Sequence, residues 1–398
     1  MSPKNTFIII LFVLSSSFAC KQIEPSGPEE ENILNGPIEE LTSAERILHL
    51  KGDAAFAQSF NSETGLGPLF VATSCQSCHS SDGKGHPFTT LIRFGQWDST
   101  GNHYIDKGAP QLQNRAIPGY LPEELPTGIS YTKLIAPAVT GLGYIDAVSD
   151  ADILNLADPN DANGDGISGV VNWISIPNYV IPRTDAIQNT NGKYIGRFGK
   201  KSAAYDLLMQ TSLAYNQDMG IVSANEAIDT YTKLESEPEI NLQTLFETVF
   251  YLRTLKVPPV RNADEKEVVE GKQLFMNAGC ASCHKQELKT GNSSIEALSN
   301  KSFFPYTDML LHDMGNGLDD GYTEGSAKTY EWRTPALWGL GLTPKSQGGN
   351  YFLMHDGRAK SIQEAILLHG GEATKSISNF SNLNDADRLK LLKFLENL

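Results

Sequence analysis

Apolar side chains at Leu242, Leu245, Phe246, Val249 and Phe250 repeat at three- and four-residue intervals, which predicts a helix from Asn241 to Leu255. Pro258-Pro259 ends it, because proline lacks a donor N–H and crowds the preceding turn. A second helix opens at Ser361, where Glu364 completes a capping box, and its apolar stripe runs through Ile362, Ala365 and Ile366 to His369 before Gly370-Gly371. Two shorter helical patterns match each other: Gly52 and Phe56 lie in one, Gly271 and Phe275 in the other, and each runs toward a pair of cysteines. The N-terminus differs. Lys4 precedes an unbroken apolar run from Phe7 to Leu14, too short to span a bilayer, and small residues then lead to Ala19-Cys20 in the order of an export signal. Residues 21–40 are acidic, contain proline and glycine, and carry too few large apolar side chains to fold, so they read as a tether.

Composition bounds the size of the fold. At 398 residues, 40% hydrophobic and 9% aromatic, the chain can bury the cores of two domains, and its helical patterns predict a mostly α fold with long loops. The expected division is a signal peptide at 1–19, the tether at 20–40, an N-terminal domain at 41–257 and a C-terminal domain at 258–398. A formal charge of −15, from 47 acidic and 32 basic side chains, argues against nucleic acid as a partner, which would need a basic face.

The five cysteines point to the chemistry. Four fall in two strings, Cys75-Gln76-Ser77-Cys78-His79 and Cys280-Ala281-Ser282-Cys283-His284. In each, two thiols at this spacing can add to the vinyl groups of one haem while the adjacent histidine binds an iron face, so two covalently bound c-type haems are expected, one per cytochrome c-like domain. A shared zinc site fits poorly, since the pairs are about two hundred residues apart and zinc leaves both histidines unexplained. A free redox dithiol would need only one pair. The fifth, Cys20, sits where a bacterial lipoprotein carries its lipid, although Ser17 replaces the usual leucine; cleavage after Ser-Phe-Ala to a soluble periplasmic protein is the alternative. With Lys21 next in the chain, the lipid would anchor the protein at the periplasmic face of the outer membrane.

What fills each iron's sixth position separates electron transfer from small-molecule chemistry. His369 continues an apolar helical stripe and is the candidate for the second iron. His355, in Met354-His355-Asp356-Gly357-Arg358, could bind iron, or bond a haem propionate together with Arg358. His86 lies in a glycine-rich stretch flexible enough to ligate, though such histidines are usually just exposed; no convincing sixth ligand marks the first iron, which leaves an open iron as the more interesting possibility. A separate string, Asp158 to Ser168, places oxygen side chains at Asp161, Asn163 and Asp165 with Gly166 at the turn; it reads as a Ca2+ loop lacking the terminal glutamate, or as an Asx-rich turn without metal.

These strings together resemble the bacterial di-haem oxidoreductases, which span peroxidase and thiol-oxidoreductase assignments and are distant relatives of di-haem cytochrome c peroxidase and MauG. The resemblance rests on Gly65–Phe70, Gly141-Leu-Gly-Tyr-Ile-Asp-Ala147, Gly196-Arg-Phe-Gly199, Pro305–Gly315, Glu331-Trp-Arg-Thr-Pro335 and His355-Asp-Gly-Arg358 through His369–Ala373. It implies that hydrogen peroxide reacts at the N-terminal haem and that the C-terminal haem relays electrons. It also implies His369, in place of the peroxidases' methionine, on the second iron, which should lower that haem's potential. Asp146 takes the place of the family's usual glutamate and becomes the candidate catalytic carboxylate. Trp173, Trp332 or Trp338 could lie between the haems. A small cytochrome, a protein side chain or a thiol could be the donor. The rival functions are a non-enzymatic periplasmic electron carrier and a thiol oxidoreductase.

Overall fold

The computed structural model describes Leu34, residues 36–98 and residues 101–398; the expected signal peptide, Cys20 and most of the tether lie outside the described residues. The helices that build the site are α1 (Ser43–Ala57), α2 (Leu207–Met219), α3 (Leu242–Thr254), α4 (Lys266–Asn277), α5 (Ile362–Leu367) and α6 (Asp385–Asn397). Helix outweighs strand, and long loops join the helices. No helix among the described residues is long and apolar enough to cross a membrane.

Local sequence explains where these helices start. Thr42 and Glu45 cap α1 reciprocally, while Asp206, Asn241, Ser361 and Asn384 cap α2, α3, α5 and α6 through their side-chain oxygens. The α3 bounds match the expectation within a residue, but its buried face is rotated. Leu242 and Phe246 are exposed, and Thr248, Tyr251 and Leu252 turn inward, because α3 is packed by both α1 and α2. At α5 half of the expected box forms: Ser361 accepts the Glu364 N–H, whereas the Glu364 carboxylate accepts from Lys360 N. The helix ends at Leu367, two residues before His369.

The Gly/Phe repeat marks two matching helix crossings. A Cβ on Gly52 would stand 2.1 Å from the Glu247 carbonyl oxygen of α3, and a Cβ on Gly271 would stand 2.0 Å from the Lys390 carbonyl oxygen of α6. Glycine at each site lets the backbones touch, so α1 packs on α3 and α4 on α6. One core gathers Phe56, Val148, Ile195, Leu207 and Val249; the other gathers Val268, Phe275, Phe380 and Phe394. The first core also takes in Phe303, Leu310 and Trp338 from beyond residue 257. The end of the tether is packed rather than solvated: Pro37 bridges to Leu255, and Ile38 is buried beside Leu41 and Leu298.

Short antiparallel ladders fix the loops. In β1 (Leu91–Phe94) with β2 (Tyr131–Leu134), Leu91 faces Leu134, and in β3 (Leu311–Asp313) with β4 (Glu331–Arg333), His312 faces Trp332.

Candidate functional site

Both cysteine strings open onto one cavity of about 460 Å³, lined largely by apolar side chains such as Leu134, Ile135, Leu213 and Ile366. Cys75–Cys78 form a single helical turn that Ser74 and Ser77 cap reciprocally, and the His79 N–H closes it onto the Cys75 carbonyl at 2.9 Å. Cys280–Ser282 form a 3-10 turn closed in the same way, His284 N to Cys280 O at 3.0 Å. Either turn presents two thiols and a histidine to the cavity.

The two histidines are held alike. His79 Nδ1 donates to the Pro137 carbonyl at 2.8 Å, and His284 Nδ1 donates to the Tyr306 carbonyl at 2.9 Å. Tyr306 aims that carbonyl from a left-handed backbone conformation, φ 53°. Phe56 packs on His79 with ring centroids 5.9 Å apart, and Phe275 on His284 at 6.3 Å, so the Gly/Phe repeat also supplies the wall behind each imidazole. His369, just past α5, is tethered through Nδ1 to the Ala365 carbonyl at 2.7 Å and lines the same cavity. With Nδ1 as donor, Nε2 carries the lone pair in all three rings, the arrangement of metal-binding histidines. Burial pushes His79 and His284 down to about 4 and lowers His369 as well, so the lone pairs remain free at neutral pH.

Other histidines are placed differently. His49 bonds Thr254 Oγ1 in the core, and His86 packs tilted against Phe88 and edge-on against Phe352, away from the cavity lining. His312 uses both nitrogens, Nε2 to Asp308 at 2.9 Å and Nδ1 to Glu372 at 2.7 Å. Burial opposes its charge, yet these bonds and the contact with Cys283 Sγ at 3.6 Å hold it up at about 12 as an imidazolium. His355 does line the cavity; its ring lies flat on Trp332, centroids 3.8 Å apart, and burial lowers it to about 3. Lys201 Nζ sits 3.9 Å from the Trp332 ring centroid. Trp338 also lines the cavity, and Trp173 does not.

Besides Arg93 and His312, which are paired to carboxylates, three cations face this apolar space. Among the described residues Lys84 and Lys200 form no ion pair; burial lowers them to about 8 and about 7, with Lys84 and Arg333 adding repulsion on Lys200. Arg333 is lowered to about 10 by burial. Desolvated cations without counter-ions are costly, so the cavity calls for an anionic occupant. A haem meets each requirement: an apolar ring, vinyl groups for the thiols, an iron for the tethered histidines and propionates for Lys84, Lys200 and Arg333. Two such groups fit the donor set, one at Cys75, Cys78 and His79 and one at Cys280, Cys283 and His284. Three of the thiols are unsuited to redox exchange. Burial, with the Asp218 charge, raises Cys75 and Cys78 to about 12, and burial raises Cys280 to about 11.

Several expectations need correction. Asp146 is buried with Oδ1 on Arg183 at 3.0 Å and Oδ2 on Arg253 at 2.9 Å, so it clamps two arginines and lies outside the lining of this cavity. A carboxylate at the cavity is Asp218, at the end of α2, which burial raises to about 6 against the pull of Arg93. Nearby, Arg93 is held by Glu324 at 2.7 Å, Gln217 at 3.1 Å and the Tyr322 hydroxyl at 3.3 Å. Arg358 turns to Asp356 and the Gly317 carbonyl on the surface and does not join His355. In the expected calcium loop the three side chains each accept a loop N–H: Asp161 from Gly166, Asn163 from Asp165 and Asp165, through one oxygen, from Ile167. These are Asx turns, with Gly166 at φ 87° as required, and they shape the loop whether or not a cation sits in it. Ser168 instead ties the loop to Glu372, 2.7 Å away.

Sequence reasoning missed Asp218 and the cations. Lys200 stands next to Lys201 after a glycine turn, a pattern that reads as surface; Arg333 lay inside the noted Glu331-Trp-Arg-Thr-Pro335 string and could have been named.

Comparison with known proteins agrees with this geometry. A family model described as "Di-haem oxidoreductase, putative peroxidase" matches residues 29–93 and 128–398. No curated protein matches the chain. Among solved structures, hydrazine synthase of Kuenenia stuttgartiensis, pressurised with xenon, is similar at 16% identity and a TM-score of 0.38, over 95% of this chain and 98% of that one. A likeness that low carries no argument about function.

Proposed function

From the premise that this chain belongs to the di-haem oxidoreductase family, we propose that it is a peroxidase that reduces hydrogen peroxide at the haem held by His79, with electrons arriving through the haem held by His284. The observation that carries the reading is the convergence of two Cys-x-x-Cys-His turns and His369 on one cavity, with each imidazole tethered through Nδ1. In this reading the thiols of Cys75, Cys78, Cys280 and Cys283 would form thioethers, and His369 would be a further ligand of the second iron. Bound there, the irons supply the one-electron steps that take peroxide to water.

The chain's own residues do the rest. Lys84, Lys200 and Arg333 would neutralise the propionates, whose charge would in return keep the two lysines protonated. Pro137 and Tyr306 fix the histidine tautomers and keep Nε2 unprotonated. Asp218, with an affinity for protons near neutral pH, is suited to take a proton from one peroxide oxygen and return it to the other. Arg93, immobilised by Glu324 and Gln217, holds positive charge on the same side of the cavity. The export signal and a Cys20 lipid anchor would place this chemistry at the periplasmic face of the outer membrane, with a small cytochrome or another protein as donor. A thiol route is disfavoured because the raised thiols make poor nucleophiles.

A second reading has its own support. His355 is a neutral cavity histidine, and with its ring free of the tether seen in the other three it could cap the first iron and leave a pure electron carrier. The test is to measure the mass and peroxide consumption of the purified holoprotein. Two thioether-bound haems with peroxide turnover support the peroxidase; two haems without turnover support the carrier.

A further inference from the structure

Behind His79, away from the cavity, the side chains form a line. The Phe56 ring lies 5.9 Å from His79 and 5.4 Å from Tyr251, whose ring in turn lies 4.9 Å from His49. Tyr251 is fully buried, and its hydroxyl donates to Asp82 Oδ1 at 2.9 Å. Asp82 is itself buried, three residues after His79 in the same turn. Asp53, which is exposed, acts on both the phenol and Asp82, and His49 and Arg46 complete the charged or titratable surroundings. Other buried tyrosines lack one half of this pairing. Tyr215 meets the Thr248 hydroxyl, and Tyr205 accepts from a backbone N–H. Tyr179, only half-buried, donates to Glu226 but has no ring contact toward either haem-site histidine.

A phenol is readily oxidised only if its proton leaves with the electron, since the protonated radical cation is a strong acid. Tyr251 has both exits in place, an aromatic contact leading to His79 and a carboxylate on its O–H. We infer that Tyr251 is a redox-active residue: when peroxide has oxidised the haem held by His79, the phenol gives one electron toward that haem through Phe56, and its O–H proton passes to Asp82 Oδ1. The balance is complete. The phenol becomes a phenoxyl radical, the Asp82 carboxylate becomes a carboxylic acid, the haem gains the electron, and peroxide is the oxidant. An external one-electron donor later restores the phenol. The residue thereby holds an oxidising equivalent away from the cavity, which suits an enzyme whose donor delivers electrons singly.

This inference rests on the peroxidase reading, and the experiment separates the two. Peroxide is mixed with the diferric holoprotein, and samples are followed by haem absorption and frozen for electron paramagnetic resonance. The expected result is a haem spectral change together with a phenoxyl signal whose couplings collapse in protein grown on ring-deuterated tyrosine. Tyr251→Phe, which keeps the ring, should retain the haem change and lose the signal, and Tyr179→Phe should lose neither. Asp82→Asn should slow the radical's appearance by about 100-fold or more, the typical worth of one placed proton acceptor. An unchanged signal in Tyr251→Phe, or a reacting haem without any phenoxyl signal, overturns the role of Tyr251 alone. An unreactive haem overturns the peroxidase reading and this inference together.

Discussion

Replacing Gly52 with alanine tests the packing that places the first histidine. Helix propensity favours alanine by about 1 kcal/mol, so on local grounds the substitution should stabilise α1. The crossing predicts the opposite. The added Cβ would stand 2.1 Å from Glu247 O and 2.6 Å from Tyr251 Cβ, against the 3.0 Å below which such contacts essentially never fall. The oxygen belongs to helical backbone, so relief requires α1 and α3 to part. Overpacking of this kind costs roughly 1–3 kcal/mol, and a backbone clash belongs at the top of that range, leaving a net loss of about 2 kcal/mol. Gly271→Ala meets Lys390 O at 2.0 Å and should cost as much, whereas Gly317→Ala has nothing within 4 Å and no positive φ. Urea denaturation of the holoprotein, monitored by circular dichroism, gives the three values. Equal losses for Gly52→Ala and Gly271→Ala with near-neutral Gly317→Ala are expected. A Gly52→Ala variant as stable as the parent would refute the crossing, and with it the account of how Phe56 and His79 are set.

The other predictions concern the site. Peroxide consumption should rise with pH through about 6 as Asp218 ionises, and stopped-flow rates for Asp218→Asn should lose that limb. Asp146→Asn should leave the peroxide rate per folded molecule intact but lower stability by roughly 1–3 kcal/mol in urea titration, because Arg183 and Arg253 lose a shared counter-ion. His369→Met should raise the potential of one haem only, read by spectroelectrochemistry; a change in both would remove His369 from the second site. In protein freed of haem, Lys200 binds protons less well folded than unfolded, so stability should climb between about pH 7 and the ordinary lysine range, and Lys200→Met should flatten the climb.

How far the sequence foretold this structure depends on the range of the interaction. The two Cys-x-x-Cys-His turns and the His369 position were legible because each is a local pattern with a local partner, such as His369 with Ala365 four residues earlier. The Gly/Phe repeat was visible too, although its meaning, a helix crossing, needed α3 and α6. Asp146 was misread for a different reason. Its partners Arg183 and Arg253 lie 37 and 107 residues away, and no periodicity announces an ion pair over such a span. Lys84 and Lys200 were hidden likewise, since burial of a charge beside a loop is a tertiary fact. The Asp158–Gly169 loop shows the limit of motif reading: the same spacing of oxygens serves a cation or a set of Asx turns, and the N–H bonds its carboxylates accept are compatible with both.

In the proposed function the chain would hold two irons of unequal coordination, one open at His79 and one closed by His284 and His369. Electron paramagnetic resonance of the diferric holoprotein tests it most directly. The account predicts one high-spin and one low-spin ferric signal, with only the high-spin signal lost on adding peroxide. Two low-spin signals that peroxide leaves unchanged would contradict it and assign His355 or another residue to the first iron.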